Sequence, residues 1–146
     1  MLFRSVLLQA GDIHEAVKKG NLEAVQSFVK QDKTLIDSES DSGLTPLLIA
    51  LMEDQPKIAE FLIKEGANIH ARTKDGWTTL MLATRYKQPQ NAMLLIKKGM
   101  DLDAHTEQGT TALMLALSNK LEEPAKALVE RGATINGFSG FFQLVT

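Results

Sequence analysis

The sequence predicts an all-α solenoid of stacked helix-turn-helix units joined by hairpin-like loops. Two observations carry this: residue identities recur every 33 positions, and each recurrence holds turn, cap and apolar residues in the order that two helices require. Gly43, Gly76 and Gly109 are 33 apart, as are Thr45, Thr78 and Thr111, then Leu47, Leu80 and Leu113, then Ala50, Ala83 and Ala116. The same period continues through Ala59, Ala92 and Ala125, through Leu62, Leu95 and Leu128, and ends on Gly66, Gly99 and Gly132. Seven columns are thus identical in all three units, without a gap.

Each unit parses physically. In "SGLTPLLIALMED" a turn glycine precedes Thr45, whose hydroxyl can cap a helix, and Pro46 takes the first helical position, where a missing N–H costs nothing. A second helix is expected to begin near Pro56, Pro89 and Pro124, and to end on a charged residue followed by glycine, the pattern of a left-handed C-cap. Ile58, Phe61, Leu62, Leu94, Leu95 and Ile96 give these second helices a broad apolar stripe. Between one cap glycine and the next turn glycine runs an extended, polar-tipped stretch such as "ANIHARTKDG".

At 146 residues, 44% hydrophobic and 23% charged, the chain has the size and composition of one folded domain. Residues 1–37 are expected to form an N-terminal capping unit with a leader, 38–71, 72–104 and 105–137 three further units, and 138–146 an apolar tail. In the leader, Leu2, Phe3, Val6, Leu7 and Ala10 recur at helical spacing and are expected to lie against the first unit. The tail holds Phe138, Phe141 and Phe142. Its interval from Gly140 to Leu144 repeats that from Gly43 to Leu47, as in a further unit that stops early, and its rings are expected to cover the fourth unit. A net charge of −2 provides no field for nucleic acid or a membrane surface. No apolar run approaches the ~18 residues of a transmembrane helix, and the leader lacks the basic start of a signal peptide. With no cysteine there are no disulfides or thiolate sites, and a cytoplasmic location is expected.

These residues resemble the ankyrin repeat. "GLTPLLIA" with "GANIHA", "GWTTLMLA" with "GMDLDA", and "GTTALMLA" with "GATING" answer the family's first-helix and hairpin motifs, and an N-terminal unit keeps the family's histidine as His14 and its inter-helix glycine as Gly20. The resemblance covers about residues 11–137. Departures occur: the histidine becomes Leu48, Met81 and Met114, an apolar contact, and the inter-helix glycine becomes Asp54, Lys87 and Lys120. If those turns keep a positive φ, each lysine carries strain of about 1 kcal/mol.

The resemblance implies a concave surface of hairpin tips and first helices that binds another protein. The positions it assigns there are Asp41, Ser42, Leu44, Met52 and Glu53 in the second unit, and Lys74, Asp75, Trp77, Arg85 and Tyr86 in the third. The fourth unit supplies Glu107, Gln108, Thr110, Ser118 and Asn119, and Lys18 and Lys19 match in the first. The only Trp and the only Tyr fall together beside Arg85, and these three residue types dominate interface energetics. Trp77 could equally lie across neighbouring hairpins, over Leu44 or the stem of Arg85. Charge is patterned along the stack: the second unit has two basic and six acidic residues, the third six basic and three acidic.

No triad, metal set or phosphate loop is evident, and no cofactor is expected. His70 shares a column with Asp103 and Asn136, so His70 could meet Asp101 or Asp103, and there a hydrogen-bond ladder between hairpins is favoured over a metal ligand set. The expected function is a non-catalytic interaction module, monomeric when free. The alternatives are a dedicated inhibitor or immunity-type protein that blocks one enzyme, and an enzyme built on His70 and Asp103.

Overall fold

The computed structural model describes residues 10–134. The leader up to residue 9 and the tail 138–146 therefore lie outside the described residues, as does Asn136. Four helix pairs follow in order: α1 (Ala10–Lys18) with α2 (Leu22–Gln31), α3 (Pro46–Met52) with α4 (Pro56–Lys64), α5 (Thr79–Arg85) with α6 (Pro89–Lys97), and α7 (Ala112–Ser118) with α8 (Glu122–Glu130). A single 3₁₀ turn, Lys33–Asp37, follows α2. Among the described residues the only strand-like pairings are two isolated antiparallel bridges, Arg72 with Thr78 and His105 with Thr111.

The boundaries have local causes. Thr45, Thr78 and Thr111 each accept, on Oγ1, the N–H three residues on, at 3.3, 3.2 and 3.3 Å. Each thereby satisfies a donor that the first turn leaves unpaired. Pro46, Pro56 and Pro89 occupy first-turn positions, where φ suits and no N–H is needed. The second helices end where Gly66, Gly99 and Gly132 take φ of +91°, +80° and +90°, a region that a Cβ disfavours. Asp54, Lys87 and Lys120 do hold φ of +55°, +54° and +57° between the paired helices. The strain expected from losing the inter-helix glycine is present.

Packing follows the period. Within each pair the two helices touch; α1, α3, α5 and α7 then stack in one row and α2, α4, α6 and α8 in another. Neither face of one unit can be buried alone, so each unit is completed by its neighbours. Leu47, Leu80, Ala50, Ala83, Ala59, Ala92, Leu62, Leu95 and Leu128 are wholly inaccessible. The small alanines let the two rows approach and the leucines fill the space between. Leu48 and Met81, which replace the histidine, are buried, whereas Met114 is half-buried. His14 keeps the polar role: its Nε2 lies 2.8 Å from the Ser38 carbonyl, to which it donates.

Columns change exposure along the stack. Leu51 and Thr84 are inaccessible, but Leu117, in the same column, is 39% exposed. Ile63 and Ile96 are buried where Val129 is 46% exposed. Leu117 and Val129 are the fourth unit's versions of residues that a following unit covers in the other pairs. No described helix is long and apolar enough to cross a membrane.

Candidate functional site

The hairpin tips are built from a column that the repeat pattern does not single out. Ser40, Thr73 and Thr106 stand at the same place in successive units, and each holds its turn three times. The Thr73 N–H donates to the Trp77 carbonyl (3.0 Å), the Thr73 carbonyl accepts from the Gly76 N–H (3.0 Å), and Thr73 Oγ1 accepts from the Trp77 N–H (3.1 Å). The same bonds join Ser40 to Gly43 and Leu44, and Thr106 to Gly109 and Thr110. Gly43, Gly76 and Gly109 turn the tip at φ of +75°, +83° and +81°. The residue after each glycine, Leu44, Trp77 or Thr110, is therefore clamped at its own backbone while its side chain can vary.

Trp77 is half-buried against the core, not wholly exposed. The Arg85 guanidinium carbon sits 5.3 Å from the Trp77 ring centroid and 5.9 Å from that of Tyr86. Both distances suit attraction of the cation to the ring faces. No carboxylate lies within ion-pair distance of Arg85 or Lys74 among the described residues. These groups line a groove of about 490 Å³ whose apolar lining is Leu44, Met52, Trp77, Leu82 and Tyr86, rimmed by Ser42, Thr73, Lys74, Asp75 and Arg85. The structure thus brings together eight of the positions singled out in the sequence, and adds Thr73 and Leu82. Trp77 covers its neighbours and faces the groove as well.

The other positions lie apart. Asp41 lines a separate hollow of about 430 Å³ with Gly11, His14, Glu15, Lys18, Glu39, Ser40 and Ser42. Glu53 is the exposed C-cap residue of α3. Glu107, Gln108 and Ser118 are exposed and Thr110 half-buried, but none of the four lines the Trp77 groove. Lys19 is exposed, and Lys18 pairs with Glu15 at 3.6 Å. Asn119 has a role inside the stack as well: its side-chain amide donates to the Thr84 (3.0 Å) and Arg85 (3.4 Å) carbonyls, so it caps α5 from the next unit. That position closes the stack.

The proposed meeting of His70 with Asp101 or Asp103 is not what forms. Asp103 Oδ1 accepts the Thr134 N–H at 2.6 Å and Asp101 Oδ1 the Asp103 N–H at 3.0 Å. Asp37 Oδ1 likewise accepts the Asn68 N–H at 2.7 Å, so Asp37 and Asp103 are rungs between consecutive hairpins. His70 occupies the intervening rung position, is exposed, and contributes its backbone N–H to Asn68 Oδ1. Carboxylates turn to backbone N–H groups because each such bond satisfies an otherwise unpaired donor. It is His105 whose ring approaches Asp103, at its carbonyl (3.3 Å). The Thr134 backbone bond, with a further contribution from the Thr134 side chain, lowers the Asp103 pKa below its ordinary value.

A depressed folded-state pKa fixes the sign of a pH effect. The stabilisation is fully present above the unfolded value, near 3.8, and is lost as pH falls through the lower folded value. The difference in melting temperature between wild type and Asp103→Asn is therefore expected to be constant from neutral pH to about 5 and to shrink below about 4. A difference that grows in acid contradicts the bond. Among the described residues no group of three or more His, Cys, Asp and Glu is placed to hold a metal.

A two-row helical stack with rigid hairpin tips and an aromatic, cation-lined groove on one side defines a repeat solenoid. The family model described as Ankyrin repeats (3 copies) matches residues 13–73 and 55–138, and the chain belongs to the ankyrin-repeat family. Ankyrin repeats generally mediate protein–protein interaction. The chain is 45% identical over 56 residues to protein phosphatase 1 regulatory subunit 27 of Homo sapiens, a match covering 38% of this chain and 36% of that protein. It is 32% identical over 60 residues to the E3 ubiquitin-protein ligase KEG of Arabidopsis thaliana, covering 41% of this chain and 4% of the other. It is 29% identical over 58 residues to ankyrin repeat and SAM domain-containing protein 6 of Danio rerio, covering 40% and 8%. The matches thus span about a third or less of these relatives.

Proposed function

We propose that this chain is a non-catalytic protein-binding module whose recognition surface centres on the groove between the second and third hairpin tips, with Trp77, Arg85 and Tyr86 as its anchor. The observation that carries this reading is the held geometry of the three. The Thr73 clamp fixes the Trp77 backbone, and Arg85 lies close to both rings with no carboxylate at ion-pair distance among the described residues. A side chain already ordered loses little freedom on binding, so a partner gains most of the contact energy. Met52, Leu44 and Leu82 give the anchor an apolar surround, from which a docked partner would displace water.

The test is capture of partners from a lysate of the source cells, read by mass spectrometry, with wild-type protein and with Trp77→Ala. Trp77→Ala is expected to weaken the captured complex by about 2 kcal/mol or more, measured by calorimetry with the purified partner. Its fold should persist, because the clamp is made by the backbone and Thr73. A large loss of stability with partner binding intact reverses the assignment. A second reading, an inhibitor or immunity-type protein acting on one enzyme, draws on the name of the human relative, a regulatory subunit of a phosphatase. Inhibition of the captured partner's activity by the isolated chain distinguishes it from an adaptor. The reading based on a reaction at His70 and Asp103 is disfavoured, since the Asp103 carboxylate is held by Thr134.

A further inference from the structure

Two hollows meet on the hairpin side, and their charges are opposite. The Trp77 groove and the hollow lined by Glu15, Glu39 and Asp41 both have Ser42 in their walls, so the two are distinct but adjoin. At one end Arg85 and Lys74 outnumber Asp75. At the other, Glu39 and Asp41 stand without a cationic partner among the described residues, while Lys18 is already paired with Glu15. Between them lies the apolar stretch of Leu44, Met52 and Trp77.

We infer that the occupant is an extended polypeptide segment carrying a basic end, a central apolar side chain and an acidic end. The inference rests on the protein-binding reading and adds the chemistry of the partner. The apolar side chain lies against Trp77 and Met52, the acidic end meets Arg85 and Lys74, and the basic end meets Glu39 and Asp41. A uniformly acidic ligand, such as a nucleic acid or an anionic membrane, meets repulsion at Glu39 and Asp41, and a uniformly basic one meets it at Arg85 and Lys74. Adjacent helices are ~8–10 Å apart and extended chain rises ~3.3 Å per residue, so each unit spans roughly three residues of the segment.

The test uses fluorescein-labelled peptides of about nine residues, a length covering roughly three units, titrated against the intact protein by anisotropy. One set has lysines at one end, leucines at the centre and glutamates at the other, in both chain orders. Control sets are glutamate at both ends, lysine at both ends, and the two-signed set with serine at the centre. The two-signed apolar peptides are expected to bind at least about ten-fold more tightly than each control. Glu39→Lys combined with Asp41→Lys, both on exposed loop positions, should move the preference to peptides acidic at both ends. Arg85→Glu should abolish it. Any control binding within about two-fold of the two-signed set, or an unchanged preference in the charge-reversed variant, overturns the inference. So does failure of every peptide to bind while Trp77-dependent capture of a protein persists, an outcome that leaves the binding reading standing. Absence of Trp77-dependent capture removes the reading beneath it.

Discussion

Leu95→Ala is expected to lower the free energy of unfolding by about 2–5 kcal/mol, measured by urea denaturation. Leu95 is wholly inaccessible and lies in α6, which packs against α4, α5 and α8. Truncation removes transfer energy and leaves a cavity that three helices held in register cannot close. In a linear stack each interface is shared by two units, so weakening a middle one also loosens its neighbours. A lower slope of the transition with denaturant would report that loss of cooperativity. Lys97→Ala, two residues along on the exposed face of the same helix, is the control and should change stability by less than about 0.5 kcal/mol. A Leu95 variant no less stable than that control would contradict the stacking of the leucine column.

Gln88→Ala is expected to cost about 2–4 kcal/mol despite removing a polar residue. Gln88 is only 2% exposed, and its amide nitrogen donates to the Leu51 (3.2 Å) and Ala50 (3.4 Å) carbonyls at the end of α3. Its Oε1 accepts from Asn91, whose amide also donates to the Pro56 carbonyl at 3.0 Å. The two amides thus bridge the second and third units through a buried network. Ala50 retains a bond from the Gln55 N–H, but the Leu51 carbonyl and one Asn91 donor position lose their partner. Orphaned buried polar groups carry the full desolvation penalty. Gln55, in the same column one unit earlier, is half-buried with no side-chain hydrogen bond among the described residues, so Gln55→Ala should cost less than about 1 kcal/mol. Equal losses at the two positions would show that the column packs and does not bridge.

The repeat was legible because stacking imposes one requirement per position. Glycine must stand where φ is positive, threonine where a first turn needs an acceptor, alanine where rows touch, and leucine where the space is large. Each requirement returns every 33 residues. The positions around Trp77 were legible for the converse reason, since a column that varies while its neighbours repeat is released from the stack. Asn91 was missed although it interrupts an apolar column between Ile58 and Pro124. The signal was a second polar residue, Gln88, three positions before it on the same helical face. The role of Asn119 was opaque, because Glu53 and Tyr86 in its column give no hint of a bond to carbonyls of the preceding unit.

The sequence by itself determined the architecture: the period, the helix limits, and the leucine and alanine columns that bury the core. All of these are local or strictly periodic, and a linear chain records them directly. The tertiary structure alone decided which polar side chains join one unit to the next, how Asp37 and Asp103 become rungs while His70 does not, and that Arg85 rests near both Trp77 and Tyr86 beside a groove that adjoins an acidic hollow. Those outcomes depend on where a side chain about thirty residues away is pointing, which stacking sets and residue spacing does not contain.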